Sequence, residues 1–316
     1  MKFIKYLASI LLVLSITGLA KSNEIKMAKA NWDTGYFHAE IYKKAFEQLG
    51  YQVTEPKAIK PSVFYLAAAV GDLDLWVNGW FGTHNGFIKE SRGKVKPVGY
   101  VVKKGGLQGY LIDKKTADKF NITSVMDIEK HAKQFDSNND GKADMVACPP
   151  GWGCEKIISN HFSELGLDSF INRIQAEYSA SMADALARYK NGGSILFYTW
   201  TPNWTVGALE LGKDIVWIDV PYSQTKEVNV PNATKKKINM GFGADDIRPA
   251  VNVDFLKKNP KIEKLLKVAS IPLSDIAAQN MLMNNGEKSE KAIKKHASEW
   301  IKKNQDTFDG WIKASK

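Results

Sequence analysis

Beyond its first twenty residues the chain alternates short apolar or β-branched runs with longer stretches of helical periodicity, and this alternation restricts its fold more than any other feature. Glu24 to Ala30 reads as a strand, and Phe37, Ile41, Ala45 and Leu49 then recur at helical spacing before Gly50, a natural helix stop. Tyr51 to Thr54 opens the next strand. The succession returns with Gln108 to Ile112 as strand, Ser124 to Gln134 as helix, Ser181 to Lys190 as helix and Ser194 to Thr199 as strand. Repeated strand and helix of this kind predict an α/β fold. Ser124 and Ser181 are each followed three residues on by Asp, the spacing of a capping box, so both serines are expected to open their helices. Ile215 to Val220 reads as a buried strand. The polar stretch from Tyr222 to Lys237 lacks periodicity and is expected to return the chain between lobes. Near the end, Ile293, Ala297, Trp300 and Ile301 line one face of an amphipathic helix.

A chain of 316 residues exceeds the size at which one hydrophobic core stops growing, so two lobes are expected. The division that fits the pattern gives residues 21–103 and 240–316 to the first lobe and 104–239 to the second. The chain would then cross between them twice. No internal repeat or long linker separates the elements, and short crossings of this kind suit a hinge.

The first twenty residues carry Lys2 and Lys5, an apolar run from Tyr6 to Ile16, and Thr17-Gly18-Leu19-Ala20 with small residues three and one before a cut. This is the pattern of a cleaved secretory signal, which implies export to the periplasm. Losing two lysines and no acid takes the formal charge from +10 to +8. The lysines are dispersed among acids, and the densest run is only Lys235-Lys236-Lys237, so the charge reads as a solvated face and no nucleic-acid partner is implied. Cys148 and Cys154 are the only two cysteines, and an exported chain meets an oxidising compartment in which such a pair joins as a disulfide.

Three tryptophans stand in turn-like contexts or at a strand end: Trp80 in Asn78-Gly79-Trp80-Phe81-Gly82, Trp152 in Pro150-Gly151-Trp152-Gly153-Cys154, and Trp200 in Tyr198-Thr199-Trp200-Thr201-Pro202. Trp217, Trp300 and Trp311 lie in apolar or amphipathic segments and fit core packing. Indole faces are the best side-chain partners for a cation that cannot donate hydrogen bonds. Gly151 and Gly153 leave the amides around Trp152 open to close approach by an anion.

The segments Gln108-Gly109-Tyr110-Leu111-Ile112-Asp113, Pro150-Gly151-Trp152-Gly153-Cys154-Glu155 and Tyr198-Thr199-Trp200-Thr201-Pro202 resemble the periplasmic glycine betaine and proline betaine-binding proteins of osmoprotectant ABC importers. The resemblance extends over the mature chain, through Asp214-Ile215-Val216-Trp217 to Phe308-Asp309-Gly310-Trp311. It implies a two-lobed periplasmic binding protein fold with the ligand in the cleft, no catalysis, and a membrane permease as partner. It further implies an ammonium box of Trp80, Trp152 and Trp200, with the ligand carboxylate held by the amides of Trp152 and Gly153 and by His84. Phe81-Gly82-Thr83 replaces the Thr-Pro-Leu usual in that family, so the first wall of the box departs from the pattern. Glycine betaine, proline betaine, dimethylsulfoniopropionate, choline and trimethylamine oxide all present an onium head that such indoles accept.

Asp136, Asn138, Asp140 and Asp144 fall at positions one, three, five and nine of a calcium-type loop with Gly141 at six, but Ala147 stands where the bidentate Glu belongs. The segment suits either a weak structural calcium site or a plain Asp/Asn/Gly turn. Two other readings have less support. A secreted hydrolase of choline-like esters would also use an aromatic cage, but no nucleophile elbow or triad motif is present. A calcium-dependent surface interaction protein leaves the loop tryptophans unexplained.

Overall fold

The computed structural model describes residues 24–32 and 34–316, so the first twenty residues, expected to be a secretory signal, lie outside the described residues. After a short strand at Glu24–Ile25 that pairs with Gln52–Val53, strand β1 (Ala28–Ala30) pairs in parallel with β2 (Lys57–Ile59) across helix α1 (Thr34–Gln48). Phe37, Ile41 and Ala45 of α1 are buried as their spacing requires, and Gly50 adopts φ 91°, a left-handed turn open to glycine. Helix α2 (Pro61–Val70) starts with proline, whose missing N–H costs nothing there, and ends on the left-handed Gly71. Strand β3 (Leu75–Phe81) follows and is buried at all seven positions. A strand covered on both faces needs an unbroken apolar run, and Leu-Trp-Val-Asn-Gly-Trp-Phe supplies one interrupted only by Asn78 and Gly79.

After the short β4 (Val95–Pro97), strand β5 (Val102–Asp113) carries the chain across the molecule. Its first residues pair with the returning strand of the first lobe, as Val102 does with Ile247 and Gly106 with Asp245. From Leu107 onward it pairs with the second lobe. There β6 (Ala143–Val146) lies parallel to β7 (Ile171–Ile174) and to β8 (Leu196–Thr201), while β8 and β9 (Ile215–Trp217) run antiparallel to β5. Helices α3 (Gly153–Leu165) and α4 (Tyr178–Lys190) connect these strands. A hairpin of β10 (Glu227–Asn229) and β11 (Lys237–Asn239) closes the second lobe. The return follows at Met240 to Gly243, and β12 (Asp245–Asn252) then joins β3, β4 and the start of β5. The C-terminal helices α5 (Glu290–Lys303) and α6 (Gln305–Ser315) cap the first lobe, where Trp300 stacks on Trp311 with ring centroids 5.8 Å apart.

The molecule is therefore an α/β protein of two lobes joined by sheet strands, with a cleft between them. A boundary at residue 103 falls inside β5, which runs from one lobe to the other without a break.

Two local expectations need correction. Ser124 does form the capping box with Asp127, but Ser181 opens no helix. Helix α4 begins three residues earlier, and the Glu177 carboxylate caps it by accepting from the N–H groups of Ser179 and Ala180. A longer acidic side chain reached the same orphan donors that a Ser-to-Asp pattern usually satisfies. The stretch from Tyr222 to Lys237 does not return the chain between lobes. It lies along the second lobe as the β10–β11 segment, with Thr234 Oγ1 donating to the Thr123 carbonyl at 2.9 Å and the Thr234 amide to that of Trp217 at 3.0 Å. The residues from Tyr222 to Lys237 are mostly exposed and polar and leave no period to read.

Candidate functional site

At the cleft, residues from both lobes line a small cavity of about 30 Å³. Trp80, Thr83 and His84 come from the end of β3 and the turn after it. Trp152, Gly153 and Cys154 come from the loop into α3, and Tyr198 and Trp200 from β8. Gln108 of β5 and Trp32, just before α1, complete the lining. The five residues read as a ligand site from the sequence, Trp80, His84, Trp152, Gly153 and Trp200, thus meet in one cavity.

The indoles form a connected wall. Trp152 lies against Trp32 with centroids 5.0 Å apart and edge-on to Trp200 at 5.6 Å. Trp80 is held by a different means: its indole N–H donates to Asn78 Oδ1 at 3.0 Å, and Trp32 Nε1 donates to the same oxygen at 2.9 Å. One amide two residues upstream of Trp80 therefore orients two walls of the box. Its own Nδ2 donates to His38 Nδ1 at 2.7 Å, and burial holds the His38 imidazole neutral, with its pKa lowered to about 3.

His84 is equally buried, and desolvation lowers its pKa to about 3. Its Nδ1 lies 3.2 Å from both the Trp80 backbone N–H and the Tyr65 hydroxyl. The Trp80 N–H can only donate, so Nδ1 must accept and the ring proton sits on Nε2. His84 is thereby a neutral donor at the cavity.

Next to it stands the start of α3. Trp152 is its N-cap residue, no side chain caps its first turn among the described residues, and Gly153 is its first helical residue. Backbone N–H groups there, together with the helix dipole, favour an anion. The lobes meet closely at this point: a Cβ on Gly153 would lie 2.8 Å from His84 Cδ2 and 2.7 Å from Thr83 Cγ2. Glycine is required by that approach. The Trp152 amide itself donates to the Pro149 carbonyl at 3.3 Å. The Cys148–Cys154 disulfide closes this loop over a separation of 6 residues.

A polar network backs the cavity. Tyr198 Oη donates to Gln108 Oε1 at 2.6 Å, which turns the Gln108 amide nitrogen toward Thr83 Oγ1 at 2.7 Å and Asp245 Oδ2 at 2.6 Å.

The acidic loop lies elsewhere, between Phe135 and β6. Asp136 accepts from the Asp140 and Gly141 amides, Asn138 Oδ1 from the Asp140 amide, Asp140 from the Lys142 amide, and Asp144 from Ser137. Among the described residues no group of three or more His, Cys, Asp or Glu side chains is placed to hold a metal ion.

Sequence reasoning missed Trp32, Gln108, Thr83 and Tyr198 as lining residues. Trp32 stands between a strand and a helix, the same context that singled out the other three, so it was within reach.

Residues 23–303 match the family model described as the substrate binding domain of ABC-type glycine betaine transport systems. The chain belongs to this family. It is 38% identical over 301 residues to the glycine betaine-binding periplasmic protein OusX of Dickeya dadantii, covering 94% of this chain and 91% of that protein. It is also 38% identical over 285 residues to the glycine betaine/proline betaine-binding periplasmic protein of Escherichia coli, covering 87% and 85%. Among solved structures, the lactococcal OpuAC in its closed form with glycine betaine superposes with a TM-score of 0.68 at 21% identity, covering 92% of this chain and 99% of that one. The two-lobed fold is thus that of the periplasmic substrate-binding proteins, and a family of binding subunits, not enzymes, removes the hydrolase alternative. Among the described residues, no helix is long and apolar enough to cross a membrane.

Proposed function

We propose that this protein is exported to the periplasm, captures a zwitterionic quaternary-ammonium osmolyte of the glycine betaine type, and delivers it to a membrane permease. The carrying observation is that four indoles share one cavity with a neutral histidine donor and an uncapped helix N-terminus. An onium group donates no hydrogen bonds and gains from ring faces, whereas a carboxylate gains from N–H groups.

Magnitudes show why both ends are needed. Four ring contacts contribute about 2 to 8 kcal/mol in total. Micromolar affinity requires about 8 kcal/mol after the costs of association are met. The cage alone therefore falls short, and hydrogen bonds to a charged carboxylate, each worth about 1.5 to 3 kcal/mol, make up the difference. On this reading choline, which has no carboxylate, binds more weakly than glycine betaine, as does trimethylamine oxide.

No chemistry accompanies capture. Ligand bridging Trp80 and His84 of one lobe to Trp152, Gly153 and Trp200 of the other favours the closed form by its differential contacts. Tryptophan fluorescence titrations with glycine betaine, proline betaine, choline and trimethylamine oxide test the proposal. Saturable change with the two betaines at the lowest concentrations supports it; no response to any of them refutes it.

A further inference from the structure

Asp245 is 1% exposed and sits at the first residue of β12, where the chain re-enters the first lobe. Three donors converge on its carboxylate: the Thr83 amide on Oδ1 at 3.1 Å, the Thr83 hydroxyl on Oδ2 at 2.5 Å, and Gln108 Nε2 on Oδ2 at 2.6 Å. Both Thr83 and Gln108 line the cavity, so the carboxylate lies one layer behind it. It also adjoins the Trp80 wall: a Cβ built on Gly106 would lie 2.5 Å from Trp80 Cζ3 and 3.2 Å from Asp245 Cβ.

An arrangement of donors alone suits an ionised carboxylate, which can only accept. No lysine, arginine or histidine of the described residues pairs with it. The charged and titratable groups around it are Asp246 on the same strand, whose charge opposes ionisation, the high-pKa Tyr198 behind Gln108, and the neutral His84 next to Thr83. Lys104 across the strand pair meets Asp246 through its backbone N–H, and the Arg248 guanidinium is turned to the Gly99 carbonyl and the Tyr100 ring. A buried carboxylate with donors and no counter-charge is incomplete in the free protein.

We propose that Asp245 is the counter-charge of the onium head, a positioning residue that acts through Thr83, Gln108 and the Trp80 wall and makes the cage select a cation over a neutral group of the same shape. Burial raises the Asp245 pKa to about 6 in the free protein. A cation in the cage favours the ionised form and lowers that pKa, so binding below pH 6 releases a proton and affinity falls as pH drops through 6. His84 is neutral over this range and the ligand carboxylate ionised, so neither contributes to the change.

The inference rests on the proposed function, and the test separates the two. Wild type and Asp245→Asn are titrated calorimetrically at pH 5, 6 and 7 in buffers of different ionisation enthalpy. The ligands are glycine betaine and its uncharged-head isostere 3,3-dimethylbutanoate. Wild type should bind glycine betaine more weakly at pH 5 than at pH 7, by up to about tenfold with close to one proton released at pH 5 in the limit where only the ionised form binds. Asp245→Asn should lose affinity for glycine betaine and its pH dependence while keeping that for the isostere. If wild type binds glycine betaine with no pH dependence and no proton release, Asp245 is a structural latch only and the inference fails while the function stands. If Asp245→Asn loses both ligands alike, charge selectivity is refuted. If wild type binds no glycine betaine, the function itself fails.

Discussion

Two loops of the second lobe, separated by only three residues, both present the composition of a binding loop, and the structure treats them differently. In Asp136 to Asp144 the oxygens are already occupied: Asp136, Asn138 and Asp140 accept from amides of the same loop, and Asp144 from Ser137. In Cys148 to Cys154 the disulfide fixes the backbone, no side chain caps the helix that follows among the described residues, and Trp152 faces the cavity. A loop that satisfies its own polar groups is a turn. One held rigid with donors left over is prepared for a ligand, because little further ordering is lost on binding.

If this contrast is right, damage to the second loop should weaken binding and damage to the first should not. The largest effect is expected from Trp152→Ala, which removes the ring that touches both Trp32 and Trp200. Loss of a desolvated cation–π face, about 2 kcal/mol, predicts a glycine betaine Kd at least about 30-fold higher by calorimetry. A variant with wild-type affinity would break the comparison at its strongest point.

His84→Ala tests the donor that meets this loop from the other lobe. Loss of one hydrogen bond to a carboxylate predicts an increase of about tenfold in Kd for glycine betaine and little change for choline. Equal losses for both ligands would assign His84 to the box and not to the carboxylate. Replacing Cys148 and Cys154 by serine sharpens the rigidity argument. Opening so short a loop should cost about 2 kcal/mol of stability, a fall of about 4 °C or more in Tm by calorimetry, together with a few-fold loss of affinity.

The smallest effect belongs to the acidic loop. We expect Asp140→Asn to leave glycine betaine affinity unchanged within about twofold, and millimolar calcium to shift Tm by less than about 1 °C, because ion binding must first displace bonds the loop already makes. A calcium-dependent rise of several degrees would show that the loop rearranges around an ion.

Acid exposes a further difference between buried groups. His38 and His84 have pKa values lowered to about 3, and that of His161 is lowered to about 4. Unfolding lets each imidazole take up a proton below its ordinary value near 6.5. Their neutral burial is therefore tolerated fully above pH 6.5 and costs stability as pH falls from there, about 2 kcal/mol per imidazole by pH 5. Asp245, whose pKa is raised, works in the opposite sense over part of the same range. A Tm measured from pH 7 to pH 4 should fall, with net proton uptake on unfolding; a flat profile would mean that these imidazoles are not neutral in the fold.

Much of this was legible in the sequence because the signals were local. Helix α1 could be read from the spacing of Phe37, Ile41 and Ala45, and three cage tryptophans from their turn contexts. The polar layer behind the cage was not legible. Thr83, Gln108 and Asp245 meet only because the sheet register sets Asp245 opposite Gly106 and Asp246 opposite Phe81. No local pattern encodes such pairings between residues more than a hundred positions apart. Asn78 illustrates the same limit: a polar residue inside an apolar strand looks like an interruption until two indoles are seen to share its oxygen.

The central claim, that the indole cage and the adjoining donors hold one zwitterionic onium ligand, is tested most directly by calorimetric titration of the mature protein with glycine betaine at pH 7. The account predicts a single site of micromolar or tighter Kd, with choline clearly weaker. Absence of binding, or choline bound as tightly as glycine betaine, would contradict it.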